Sequence, residues 1–171
     1  MRPNNLKEFF PERYPVRLSA CRDVLGVFEL VRDAVKELVG VVRSGLELGL
    51  AELEEQGGMA PCALHPLNCN CIVINLGAVR LVQAEAPGQL RAFLFHSLLY
   101  EYLHTIGLAA EHEVGGRALE ISLPLFGEEH PVTRMAEDLP RALPGVTHPR
   151  RMPLPAGTEV IPAERLELPP A

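Results

Sequence analysis

The sequence lacks the features that identify membrane, secreted and nucleic-acid-binding proteins. It contains no run of about 18 apolar residues, which is the length that a membrane-spanning helix needs. Its opening stretch, MRPNNLKEFFPERYP, holds no apolar region of the kind found in secretory signals. No segment is rich in Lys and Arg, so nothing indicates binding to nucleic acid. We therefore expect a cytoplasmic protein that binds neither a membrane nor nucleic acid, with an unidentified protein or peptide as its partner.

Motifs of several common enzyme classes are also missing. The sequence contains neither GxGxxG nor GxxxxGK[ST], so it gives no support to nucleotide binding. It contains no GxSxG, the turn that carries the nucleophile of many serine hydrolases.

Asn and Gln are scarce and Pro is plentiful, which is typical of thermophilic proteins. Only two Lys are present, however, and this is not the usual composition of hyperthermophile proteins.

What the chain does contain suits one globular domain. It has 171 residues, of which 47% are hydrophobic and 22% charged, with a formal net charge of −6. A chain of this length can bury a substantial core.

The pattern of apolar residues predicts a core domain over residues 18–138, between two irregular segments. Residues 1–17 contain three Pro and are predicted to be an irregular lead-in. A helix is predicted from Ser19 to about Val42, followed by a strand over 46–50 and a short edge strand over 59–67. The run CIVIN (71–75) predicts a buried strand, and helices are predicted over 89–106 and from 111 to 123. Residues 139–171 are rich in Pro and are predicted to be an extended or disordered tail.

The helix predicted over 89–106 is apolar on nearly every side, yet it carries a stripe of polar residues. At about 100° per residue, Ser97, Tyr100, Glu101 and His104 fall on one side, with His96 at the margin. We call these five residues the polar stripe. Polar groups inside a core need partners, and an ionised Glu needs a cation, a metal or a strong hydrogen bond. The stripe therefore marks the most informative part of the sequence.

The stripe lies within YEYLHTIG (100–107), which departs by one residue from a zinc-protease helix. In HExxH, two His one turn apart bind zinc, and the Glu polarises a zinc-bound water. Together with CIVIN before it and FGEEHPVTRMA (126–136) after it, the segment resembles the small zincin-like proteins of archaea. The resemblance implies an α/β (α+β) zincin-like single domain, with a small mixed sheet packed on a long N-terminal helix and a central buried helix.

Carried over position by position, the resemblance assigns Glu101 as the general base and His104 as the second zinc ligand. The first ligand position holds Tyr100, and the position of a third ligand holds Ala110. Residues after Gly107 that could replace a ligand are Glu111, His112, Glu120 and His130, of which His130 is preferred. The alternative is a buried network without metal, in which the Tyr100 hydroxyl donates a hydrogen bond to His104.

A second group of metal-ligating side chains lies in CALHPLNCNC (62–71). Cys62, His65, Cys69 and Cys71 offer four ligands within ten residues, which is compatible with a compact zinc site. The CxC spacing is not the usual half of such a site. A disulfide within the cluster, or one from Cys21 to the cluster, is therefore an open alternative, as is a role for Cys71 as a small core residue.

The sequence thus leaves three hypotheses for function. The first is a degenerate zincin-like protein that is catalytically inactive, requires no cofactor and serves a binding or structural role. The second is an active zinc-dependent peptidase with rearranged ligands, in which Glu101 is the general base and His104 a ligand. The third is an interaction domain stabilised by zinc or a disulfide at Cys62, His65, Cys69 and Cys71.

Overall fold

A computed structural model describes residues 13–170. Within this range the chain forms seven α-helices and a small mixed sheet. The helices are α1 (Arg13–Ala20), α2 (Val24–Val39), α3 (Leu76–Glu85), α4 (Leu90–Thr105), α5 (Glu111–Phe126), α6 (Pro131–Glu137) and α7 (Leu139–Ala142). The strands are β1 (Glu47–Ala51), β2 (Ala60–Pro61), β3 (Ala63–Leu64), β4 (Cys71–Asn75), β5 (Val146–Thr147) and β6 (Ile161–Pro162).

The main sheet has the strand order β3-β4-β1-β6. Its central strands β1 and β4 are parallel, with Glu47 opposite Cys71 and Ala51 opposite Asn75. The edge strands β3 and β6 run antiparallel to their neighbours. Strands β2 and β5 form a separate parallel pair. All five residues of β4 are buried, as the apolar run CIVIN predicts.

The long helix α4 lies at the centre of the molecule, as predicted. Every residue from 92 to 105 is buried. The ring of Tyr102 meets Phe28 of α2 edge to face at 5.8 Å, and Phe95 meets Phe126 of α5 at 4.9 Å. These contacts hold the polar stripe inside the core. No helix within residues 13–170 is long and apolar enough to cross a membrane.

The N-terminal helices differ from the prediction in where they begin. The predicted helix start at Ser19 lies near the end of α1, and α2 begins after Asp23, whose side chain accepts the N–H of Gly26. Helix α2 ends at Gly40 in the left-handed conformation, with φ of 78°. Residues 13–17 of the predicted irregular lead-in are helical, because Pro15 falls in the first turn of α1, where no N–H is required. Residues 1–12 of that lead-in lie outside the described range.

The Pro-rich segment after residue 138 packs against the domain over its described length. Leu139 and Leu143 are buried beside α6, and β5 pairs with β2. Further along, β6 extends the main sheet, and the N–H of Leu168 donates to the Arg22 carbonyl. Apart from α7, the described residues 139–170 are largely extended. Ile161, Ala163 and Leu168 pack against the core, which composition alone does not reveal.

Candidate functional site

The polar stripe of α4 is covered by residues 146–152, which we call the closing segment. Its backbone is held at both ends, since the Cys62 N–H donates to the Thr147 carbonyl at 2.9 Å and the Leu67 N–H donates to the Met152 carbonyl at 3.1 Å. Between these bonds, the Arg150 N–H donates to Oε1 of Gln56. The closing segment therefore follows an extended path along the face where the stripe lies.

Among the ring contacts of the polar stripe and the closing segment described here, that between Tyr100 and His148 is the closest. The two rings are stacked, with their centroids 3.5 Å apart and their planes 9° from parallel. The Tyr100 hydroxyl donates to the Glu111 carbonyl at 3.3 Å, and burial raises the pKa of this phenol. The hydrogen bond that the sequence predicts from Tyr100 to His104 is not formed. The two rings instead meet edge to face, with their centroids 5.5 Å apart.

Half-buried His148 also forms a pair with His96, which is buried. Their Nε2 atoms are 3.1 Å apart, so one ring donates a hydrogen bond to the other. Two neutral imidazoles share such a bond only if one is protonated at Nε2 and the other at Nδ1. Both Nδ1 atoms are buried without a partner within residues 13–170. Burial lowers the pKa of His96 to about 4 and the pKa of His148 well below its usual value, so both rings are neutral near pH 7.

Glu101 is 3% exposed and lies beside the loop that follows β3. Its Oε2 accepts the backbone N–H of His65 at 2.9 Å. Burial raises the pKa of the Glu101 carboxyl to about 8; the His65 N–H and Arg151 oppose this rise, and Glu111 adds to it. Glu101 is therefore protonated through most of the neutral range and does not need a cation beside it.

His104 is oriented by the turn that follows α4. Its Nδ1 lies 2.9 Å from the Leu108 carbonyl, which fixes the proton on Nδ1 and leaves Nε2 with a lone pair. Burial lowers the pKa of His104, and the nearby Arg151 and His65 add to this effect. Many metal-ligating histidines are oriented by a backbone carbonyl that accepts the N–H of one ring nitrogen. His104 therefore has the orientation that a metal ligand would have.

The residues present do not fit a zinc site of the zincin type, which takes three protein ligands. Within residues 13–170, no group of three or more His, Cys, Asp or Glu is placed to hold a metal. Tyr100 is a poor replacement for the first ligand, because burial disfavours its phenolate. Ala110 lies at the N-cap position of α5, where it contributes no side-chain hydrogen bond.

His130, the preferred replacement ligand, is engaged elsewhere. It is the N-cap of α6, and its Nδ1 accepts the Val132 N–H at 3.1 Å. Its ring packs against Phe126, with the centroids 4.6 Å apart. The structure thus gives His130 a capping role that its sequence position before Pro131 already permits.

The predicted zinc cluster at residues 62–71 does not assemble as a four-ligand site. Cys69 and Cys71 form a disulfide, so neither sulfur is available as a thiolate ligand. Nδ1 of His65 lies 2.9 Å from the Cys71 carbonyl, and burial raises the pKa of the Cys62 thiol to about 12. The alternative bridge from Cys21 is absent, since Cys21 carries a free thiol.

Sequence reasoning missed the residues that complete the site. His148 contacts Tyr100 and His96 across about fifty positions of sequence, and no local pattern encodes that contact. The sequence places His65 in a possible metal cluster, whereas in the structure its backbone N–H donates to Glu101. The only available signal was the need of a buried Glu for a partner, which does not identify the donor.

No protein-family model, curated protein or solved structure matches the chain.

Proposed function

We propose that the protein is a zincin-like scaffold without catalytic activity, in which the former metal-facing side of the central helix now serves a structural or binding role. The observation that carries this proposal is the stacking of His148 on Tyr100 at 3.5 Å, at the position of the first zinc ligand in HExxH. A protein side chain thus lies against the position where a first ligand would act.

The partners of Glu101 support the same proposal. A general base needs a carboxylate that can accept a proton from water. Here one carboxyl oxygen accepts the His65 N–H, and burial favours the protonated acid. The group therefore acts as a buried hydrogen-bonding residue that ties α4 to the loop after β3.

The test of this proposal is to restore the missing ligand. We expect Tyr100→His to bind zinc, because it places a second imidazole one turn before His104, whose Nε2 is free to ligate. Because the position of a third ligand holds Ala110, this two-imidazole site should bind zinc more weakly than a three-ligand site. Zinc uptake is therefore measured by titration and should rise clearly above that of the wild-type chain. Tyr100→Phe is the matched control, since it keeps the ring that contacts His148 and adds no ligand. Zinc uptake by Tyr100→Phe equal to that of Tyr100→His would contradict the proposal.

An active zinc-dependent peptidase with rearranged ligands is the second candidate. The orientation of His104 by the Leu108 carbonyl favours it, because this arrangement leaves Nε2 available. If this candidate is correct, Glu101→Gln abolishes a chelator-sensitive peptidase activity of the wild-type chain, with a loss of at least about 100-fold in kcat. An activity that survives Glu101→Gln rules out Glu101 as the base.

A further inference from the structure

The disulfide between Cys69 and Cys71 joins an accessible residue to a buried one. Cys69 is exposed in the loop before β4, whereas Cys71 is the first residue of β4 and is 8% exposed. A thiolate in solution therefore reaches Cys69 more readily than Cys71. Thiol–disulfide exchange depends on such access, because the attacking sulfur must approach one sulfur of the bond.

The fold around the bridge is secured by hydrogen bonds that do not need it. Glu47 N–H donates to the Asn70 carbonyl at 3.2 Å, and Nδ2 of Asn70 donates to the Gly45 carbonyl at 2.8 Å. The pairing of β1 with β4 begins directly after these bonds, with Glu47 opposite Cys71. A disulfide stabilises chiefly by restricting the unfolded chain, and a bridge across one residue closes a very short loop. Stabilisation is thus a weak reason for a disulfide at this place.

A cation contacts the residue that separates the two cysteines. Nη2 of Arg43 donates to Oδ1 of Asn70, the residue between the two cysteines, at 2.8 Å. The same guanidinium donates to the Thr105 carbonyl at 2.7 Å, which fixes it at the end of α4. A positive charge near a cysteine favours its thiolate, and a thiolate is what leaves when the disulfide opens.

We propose that Cys69–Cys71 is a site of thiol–disulfide exchange whose reaction partner is a dithiol. In the first step a thiolate of the dithiol attacks Sγ of Cys69, a mixed disulfide forms, and Cys71 leaves as a thiolate that takes a proton from water. In the second step the other thiol of the partner loses its proton, and the resulting thiolate attacks the partner's sulfur atom in the mixed disulfide. Cys69 then leaves as a thiolate and is protonated, the partner becomes a cyclic disulfide, and two electrons have passed to the protein.

The bridge is also connected to the polar stripe. The Cys71 carbonyl lies 2.9 Å from Nδ1 of His65, and the His65 N–H is the donor to Glu101. A reaction at the bridge therefore takes place two hydrogen bonds away from Glu101.

The wild-type chain isolated without reductant provides the first test. It is incubated in its folded state with increasing dithiothreitol, treated with N-ethylmaleimide, and each cysteine is quantified by peptide mass spectrometry. We expect no label on Cys69 or Cys71 without reductant, and joint labelling of both with reductant while buried Cys62 stays unlabelled. Labelling of both without reductant would overturn the proposal, and so would protection of both until the chain unfolds.

Trapping the first intermediate tests the point of attack. The folded wild-type chain is treated with reduced glutathione, the reaction is stopped with acid, and peptide mass spectrometry locates the bound glutathione. We expect glutathione on Cys69 about tenfold more often than on Cys71, because Cys69 carries the exposed sulfur. Equal amounts on the two cysteines would overturn the assignment of Cys69 as the attacked residue.

Discussion

We expect Asn75→Ala to lower the free energy of unfolding by about 3 kcal/mol. Asn75 is 1% exposed and uses both ends of its amide. Its Nδ2 donates to the Pro61 carbonyl at 2.7 Å. Its Oδ1 accepts the N–H of Leu53 at 3.0 Å and that of Gly77 at 3.1 Å, the latter capping α3. The alanine variant loses all three bonds and leaves buried backbone groups without partners. Chemical denaturation measures the loss.

Asn75→Ser is the matched control for this prediction, because its hydroxyl can accept the Gly77 N–H and cap α3 without introducing a buried charge. It lacks the amide that donates to Pro61, so its loss should be smaller than that of Asn75→Ala. Pro61 belongs to β2. This strand pairs with β5, which ends one residue before His148. A variant Asn75→Ala within about 0.5 kcal/mol of wild type would show that these bonds do not hold the strands together.

We expect the free energy of unfolding to be greatest near pH 6.5 and to fall on either side. Below this pH, His96 and His148 stay neutral in the folded chain while they gain protons in the unfolded chain, so acid favours unfolding. With a folded pKa of about 4, His96 alone removes on the order of 3 kcal/mol between pH 6.5 and 4. From about pH 4.5 upward, Glu101 keeps a proton in the fold that it lacks in the unfolded chain. This opposes the histidine effect up to about pH 6.5 and makes the free energy of unfolding fall from there to about pH 8.

Single substitutions test which residues cause the loss of stability in acid and which cause the loss at alkaline pH. Glu101→Gln should remove the alkaline fall, which amounts to about 2 kcal/mol between pH 6.5 and 8. His96→Gln should remove much of the acid fall and leave the alkaline side in place. Urea unfolding at a series of pH values gives both profiles. An unchanged acid side in His96→Gln would mean that His96 is not buried as described.

The elements with strong local patterns were predictable from the sequence. The buried strand CIVIN and the apolar run over 89–106 are structures that their residues specify without distant contacts. Helix α3 was not predicted, because its apolar residues continue directly from those of β4. Asn75, a preferred N-cap residue whose side chain accepts the Gly77 N–H, marks the boundary between strand and helix.

Only those residues of the site that lie on α4 were predictable from the sequence. Helical spacing placed Tyr100, Glu101 and His104 on one side, and all three are buried there. Their partners are non-local, since Glu101 bonds to His65 and Tyr100 stacks on His148. The predicted hydrogen bond between Tyr100 and His104 is absent because each side chain bonds to a backbone carbonyl. The phenol donates to the Glu111 carbonyl, and the imidazole bonds to the Leu108 carbonyl. Satisfying a polar group with a nearby carbonyl is common, and sequence spacing does not show it.

We expect the space beside His104 to be filled by the chain's own side chains and not by a metal. Elemental analysis of the untagged wild-type chain, purified without chelator and dialysed against metal-free buffer, tests it most directly. We expect far less than one zinc per chain, and less than Tyr100→His takes up under the same conditions. A stoichiometric zinc that is lost in His104→Ala and retained in His130→Ala would contradict the account.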